Sequence, residues 1–189
     1  YQECWQLQQS LFDALVAGKT GKDREGNTEV QPALLLCEHP HVYTLGKSGN
    51  QENMLMNEEF LQRIGATFHR IDRGGDITYH GPGQLVGYPI LDIDMLGMGL
   101  KDYVHGLEQT VIDTISELGI YGERSDGATG VWLPADAKGG LRKISAIGVR
   151  SSHFVTMHGF SLNVAPAMEF FTYINPCGFT DRGVTSMAA

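Results

Sequence analysis

"RGGDITYHGPGQLVGYP", residues 73–89, sets Gly74, Gly75, Gly81, Gly83 and Gly87 among an arginine, a histidine, a glutamine and two tyrosines. Neither a core strand nor an amphipathic helix calls for that composition. Gly74-Gly75 lets the backbone take positive φ or approach another group closely. Thr78, His80 and Gln84 add a hydroxyl, an imidazole and an amide along an extended segment. Two readings stay open from composition: a tight loop between strands with a structural histidine, or a backbone cradle for a ligand. A nucleotide phosphate loop is poorly supported, because neither GxGxxG nor GxxxxGK[ST] is present.

Working outward, "TFHRID" (67–72) and "QLVGYPILDI" (84–93) read as strands on either side of the glycine-rich run. Upstream, residues 2–17 carry Trp5, Phe12, Leu15 and Val16 at helical spacing, and residues 18–30 are polar and Gly-rich, as in a loop. "PALLLCEHPHVYTLGK" reads as two short strands broken at His39-Pro40. A short helix is expected over 57–65, with Asn57 as its cap and Gly65 as its stop. Downstream, Val104, Leu107, Val111, Ile115 and Leu118 define a helix over 100–119 that Gly119 ends. "TGVWLP", "KISAIGVRSS" and "FVTMHGFSLNV" follow as three strands, and a short helix is expected after Pro166. Strands and helices mix without a regular βαβ repeat, which predicts an α+β sheet covered by helices, in one domain spanning 1–189.

The net charge of −8 argues against general binding to nucleic acid or to an anionic membrane. No apolar run approaches the roughly 18 residues of a membrane helix, and no signal-peptide pattern opens the chain, so a cytoplasmic location is expected. Arg70, Arg73, Arg142, Lys143 and Arg150 nonetheless fall in the segments of interest. The three cysteines, Cys4, Cys37 and Cys177, are an odd number without CxxC spacing, which argues against a disulfide framework or a structural zinc site.

Three further residues have chemical potential. Lys143 opens an otherwise apolar strand; it is either a solvated edge lysine or a partly desolvated one that accepts a proton near neutral pH. His158-Gly159 lies within a strand, where a structural histidine is the commoner case. Cys177, between Pro176 and Gly178, is either a turn cysteine or a nucleophile; a nearby amine or cation would supply the thiolate that its ordinary pKa near 8.5 withholds.

Taken together, "RGGDITYHGPGQLVGYP", "RKISAIGVR", "HGFSLN" and "NPCGF" with "VTSM" after it resemble the lipoyl(octanoyl) transferases, from about Pro32 to Met187. The resemblance implies an α/β (α+β) fold with a central mixed sheet flanked by helices, similar to the catalytic domains of biotin and lipoate-protein ligases. It implies transfer of an octanoyl group from octanoyl-acyl carrier protein to a lysine of a lipoyl domain, through a thioester on the enzyme. The implied acceptors are the lipoyl domains of 2-oxoacid dehydrogenase complexes and the glycine cleavage H protein. Cys177 would be the nucleophile and Lys143 its partner. The acyl pocket would be walled by Arg73, Gly74, Gly75, Asp76, Ile77, Thr78, Tyr79 and His80, by Ala146, Ile147 and Gly148, and by Gly159, Phe160 and Ser161. No cofactor and no metal are implied, and the basic residues would dock the acidic carrier. Two alternatives stand beside it: an ATP-dependent lipoate-protein ligase, which needs a lysine but no nucleophilic cysteine, and a non-catalytic acyl-binding domain.

Overall fold

The computed structural model describes residues 1–21, 31–134, 140–175 and 182–189. Helix α1 (Gln2–Thr20) leads into strands β1 (Ala33–Cys37) and β2 (Val42–Leu45), helix α2 (Glu58–Arg63) and strands β3 (Thr67–Arg70), β4 (Ile77–His80) and β5 (Gln84–Ile90). Helix α3 (Leu100–Ser116) precedes β6 (Glu123–Ser125), β7 (Ala128–Leu133), β8 (Arg142–Ser152), β9 (Val155–Asn163) and β10 (Gly183–Val184), with 3₁₀ turns at Gln51–Asn53 and Met168–Tyr173.

Two sheets result. The larger has the order β1-β5-β9-β8-β7-β6, with β10 also paired to β8; the smaller is β3-β2-β4. The large sheet is antiparallel except where β10 runs parallel to β8, and the small one pairs β2 with β3 in parallel. The expected mixed sheet with flanking helices is therefore present, divided into two pieces. The run 73–89 is the crossing between them: β4 pairs with β2 in the small sheet, and β5 pairs with β1 and β9 in the large one. The turn at 81–83 makes the switch, with Gly83 at φ +83, where a Cβ would meet the Ala165 carbonyl at 2.3 Å. In sequence, residues 77–80 read as merely extended, because the glycines around them hide a strand only four residues long.

Local signals set the helix ends. Gly21 closes α1 in the left-handed region, so the helix runs three residues past the expected end. The Asn57 side chain accepts from Phe60 N at 2.9 Å to cap α2. After α3 the chain turns through Gly119 at φ +76, with Ile120 N bonded to Ile115 O at 3.0 Å. The expected helix after Pro166 is a 3₁₀ turn.

The two faces of the large sheet are covered differently. Val111 and Ile115 of α3 pack on Val131, Ile144 and Leu162, with Leu85 against the cluster. Phe12 of α1 packs on Ile90, Val155 and Met157 at the other end. The small sheet has its own core of Tyr43, Leu45, Ile77 and Tyr79 beneath Phe170.

Glycine lets these layers close. A Cβ on Gly159 would lie 2.2 Å from the Gly87 carbonyl oxygen, and one on Gly148 would lie 2.8 Å from the Gly74 carbonyl oxygen. In both cases the obstacle is backbone, which cannot swing aside. We expect Gly159→Ala to lower stability by about 1–3 kcal/mol through overpacking, read as a lower denaturant midpoint in equilibrium unfolding. An unchanged midpoint would mean that β5 and β9 part without cost.

Candidate active site

A cavity of about 410 Å³ opens where the two sheets meet. It is lined by Arg73 to Thr78 and His80 from the crossing, by Ala146 to Val149 from β8, by His158 to Ser161 from β9, and by Lys143 at one end. Of the residues singled out in sequence as pocket walls, all but one border this space. Tyr79 does not: strand alternation turns it to the opposite face, into the small-sheet core, with its hydroxyl 2.8 Å from His41 Nδ1. Cys177 lies outside the described residues.

The glycine-rich run is tied to the large sheet along its length. Gly74 N donates to Val149 O at 2.9 Å, which lays the run flat on β8. Arg73 is turned inward, 8% exposed. Its Nη2 donates to Thr44 O at 2.8 Å and to Thr44 Oγ1 at 3.0 Å, and its Nη1 donates to Gly74 O at 3.0 Å. The expectation that Arg73 belongs to a docking face is thereby corrected: this guanidinium holds the crossing to β2. Arg150 is likewise engaged, paired with Asp72 and lying 4.6 Å over the Phe12 ring.

Lys143 sits where three strands meet. Its backbone is opposite Trp132 of β7 on one side and Val184 of β10 on the other. Its Nζ donates to Thr129 O at 3.1 Å and lies 4.6 Å from the centre of the buried Trp132 ring. Arg182 lies over the same ring at 5.3 Å and donates to Ser125 Oγ at 3.1 Å. Neither Trp132 nor Arg182 announced itself in sequence, since each reaches the site by strand pairing rather than through a local motif.

Beneath the cavity runs a polar chain that composition only hinted at. Thr185 N donates to Lys143 O at 3.0 Å, and Asn163 Nδ2 donates to Thr185 O at 2.9 Å. Gln84 Nε2 donates to Asn163 Oδ1 at 2.8 Å, and Gln84 Oε1 lies 2.6 Å from His80 Nδ1. A backbone carbonyl can only accept, so Thr185 O fixes the Asn163 amide, and that amide fixes Gln84. The Gln84 oxygen then requires the proton on His80 Nδ1, leaving Nε2 as the acceptor nitrogen. Burial pushes the His80 pKa down to about 3, against the opposing pull of the Gln84 bond, so the ring is neutral at neutral pH.

His158 is also buried, and burial holds its pKa below the ordinary histidine value despite Asp72 beside it. Its Nε2 lies 3.0 Å from Asp72 Oδ1, and that hydrogen bond, helped by Arg150, keeps the Asp72 carboxyl below its usual range. The pair is thus a neutral imidazole donating to a carboxylate. His158 itself has φ 58, unusual for a histidine inside a strand. Its amide donates to the buried Gln8 side chain of α1 at 3.2 Å.

This arrangement is a space walled by backbone, apolar side chains and buried polar groups, with the Lys143 amine in its lining. Across residues 1–189 the chain matches the family model for the lipoyl protein ligase A/B catalytic domain. The chain belongs to that family. A protein named octanoyltransferase from Bacteroides fragilis is 56% identical over 99% of this chain and 82% of its own length. Another of that name from Parabacteroides distasonis is 50% identical over 100% of this chain and 83% of its own length. Among solved structures, a bipartite lipoate protein ligase from Thermoplasma acidophilum superposes with a TM-score of 0.63 at 16% identity, covering 89% of this chain and 61% of that one. A lipoate-protein ligase A bound with ATP gives 0.61 at 15% identity, covering 89% of this chain and 66% of that one. At those identities the structures establish the fold alone, a mixed α/β architecture.

The neutral state of His80 has a measurable consequence. The unfolded ring titrates near 6.5 and the folded one near 3, so the unfolded chain binds more protons between those values. Stability is therefore lost as pH falls from 6.5 towards 3, by about 2 kcal/mol at pH 5 for this one group. His80→Asn removes the titration. Its unfolding free energy should vary less between pH 7.5 and pH 5 than that of the parent protein. Parallel pH profiles would show that His80 is charged in the folded state.

Proposed function

We propose that this protein is an octanoyltransferase of protein lipoylation, which moves the acyl group from octanoyl-acyl carrier protein to a specific lysine of a lipoyl domain. The observation that carries the reading is Lys143, an amine at the end of a cavity whose walls come from three separate glycine-bearing segments. The octanoyltransferases at 50–56% identity support the acyl group and the reaction class. A lipoyl domain as acceptor fits the family and the neighbouring ligase structure described with its E2 lipoyl domain.

An acyl chain favours such a space because each buried CH₂ contributes about 0.8 kcal/mol. Neutral His80 and His158 add no buried charge to oppose it. The nucleophile in this reading is Cys177. It precedes Arg182 by five residues, a tether of at most about 18 Å at full extension. Arg182 and Lys143 share the Trp132 ring, so the sulfur is within chain reach of the amine.

The chemistry runs in two steps. Cys177 loses its proton to Lys143, and the thiolate attacks the carrier thioester; the carrier leaves as a thiolate and takes the proton back from Lys143. The acceptor lysine then attacks the Cys177 thioester. An amide forms, the sulfur departs, and the proton released by the amine returns to it through Lys143. One thioester replaces another in the first step, so no nucleotide is consumed. Arg142 and Arg182 beside Lys143 supply positive charge for an acidic carrier, and the reaction is assigned to the cytoplasm. Among the described residues no helix is long and apolar enough to cross a membrane.

Incubation with octanoyl-carrier protein should leave one octanoyl group on Cys177, seen by intact-protein mass spectrometry and peptide mapping. Transfer to a lipoyl domain without such an adduct would overturn the two-step route, and transfer of free octanoate only with Mg-ATP would point to a ligase. Lys143→Arg keeps a charge but releases a proton poorly, and it should lose at least 100-fold in kcat/KM. Near-parental activity would reduce Lys143 to an electrostatic neighbour.

A further inference from the structure

Away from Lys143, at the far edge of the large sheet, the fold gathers three metal-ligating side chains that the chain keeps apart. Cys4 lies in the first turn of α1, Cys37 ends β1, and His39 follows two residues later. Their ligand atoms all lie within 4.8 Å of one another. We propose that Cys4, Cys37 and His39 form a binding site for a d¹⁰ metal ion of the zinc(II) class, which fastens α1 to the edge strand β1.

The spacing suits the ion. With Zn–S near 2.3 Å and Zn–N near 2.0 Å, adjacent ligand atoms of a tetrahedral site stand about 3.4–3.8 Å apart. Cys37 Sγ and His39 Nε2 are separated by 3.5 Å, and Cys4 Sγ lies within 4.8 Å of both. Two sulfurs and one imidazole are the donor set that zinc prefers over the hard cations. The surroundings are built to orient it. Gln8, fully buried, receives the His158 amide on its oxygen, which turns its Nε2 towards Cys4 Sγ at 3.9 Å as a donor to a thiolate. The Tyr88 hydroxyl is hydrogen-bonded to His39 Nε2 at 2.7 Å, a bond that a metal on that nitrogen would replace. Buried His39 is also what separates this reading from a Cys4–Cys37 disulfide, for which an imidazole beside the sulfur has no use.

The site backs onto the cavity. His39 packs edge-on against His80 at 6.0 Å and touches Tyr88, and both of those residues line the cavity. A metal here would hold in place the wall opposite the Lys143 end.

The test uses the full chain with Cys177→Ala, in which Cys4 and Cys37 are the remaining thiols. Reduced and stripped of metal, the protein is titrated with cobalt(II) and then zinc(II). We expect one cobalt per chain with sulfur-to-cobalt charge-transfer absorption that zinc bleaches, and a higher Tm on adding zinc. Cys4→Ser in the same background should reduce the charge-transfer band to about half its intensity at saturating cobalt and weaken zinc binding at least tenfold, with unchanged circular dichroism. His39→Asn should weaken it similarly. A folded, reduced protein without the band overturns the proposal, as does a band whose intensity Cys4→Ser leaves unchanged, or a Cys4–Cys37 bridge whose formation zinc does not slow. The cobalt spectrum is read with all three ligands in place, so it decides the matter even where a Cys4 or His39 variant fails to fold.

Discussion

The seam between the two sheets governs everything else in this molecule. One hydrogen bond, Gly74 N to Val149 O, lays the crossing on β8, and the missing side chain of Gly148 lets the two backbones touch. Arg73 holds the other edge through Thr44 of the small sheet. Together these contacts bond the two sheets across chain segments far apart in sequence. The space left between them is the cavity, bounded along this seam by backbone contacts and by the buried Arg73.

Below that space the polar chain from Lys143 through Thr185, Asn163 and Gln84 to His80 resolves a conflict between burial and hydrogen bonding. Each amide is buried and each is satisfied, and the direction of donation is forced from one end by a carbonyl. Burial keeps His80 neutral, and it keeps His158 neutral even beside the Asp72 carboxylate. His80 and His158 thus add no charge of their own to the cavity.

How much of this was legible in the sequence depended on whether the signal was local. The ends of α2 and α3 follow from Asn57, Gly65 and Gly119, each of which acts within a turn of its own helix. The glycine-rich run announced close approach, and what it approaches is the protein's own backbone at β8 and β9. Tyr79 shares a motif with the cavity-lining residues on either side of it, yet strand alternation sends it to the other face. Trp132 and Arg182 meet Lys143 by pairing among β7, β8 and β10, which no spacing rule encodes. The same blindness applies to Cys4, Cys37 and His39. A CxxC pattern concerns neighbours along the chain, and these donors come from a helix and a strand joined by a long connection.

At 15–16% identity this chain shares its architecture with lipoate-protein ligases, one of them bound with ATP, so the sheet and the seam alone are compatible with either source of acyl group. A free acid must be activated before an amine can attack it, and that demands groups to hold a triphosphate. A thioester arrives activated and demands only a sulfur, a proton carrier and a slot for the chain. The glycine-rich run here lacks a nucleotide-type phosphate loop, and two of its donors are turned inward: Gly74 N to β8 and Arg73 Nη2 to β2. A backbone committed to the seam in this way offers less to phosphate oxygens than a phosphate loop does.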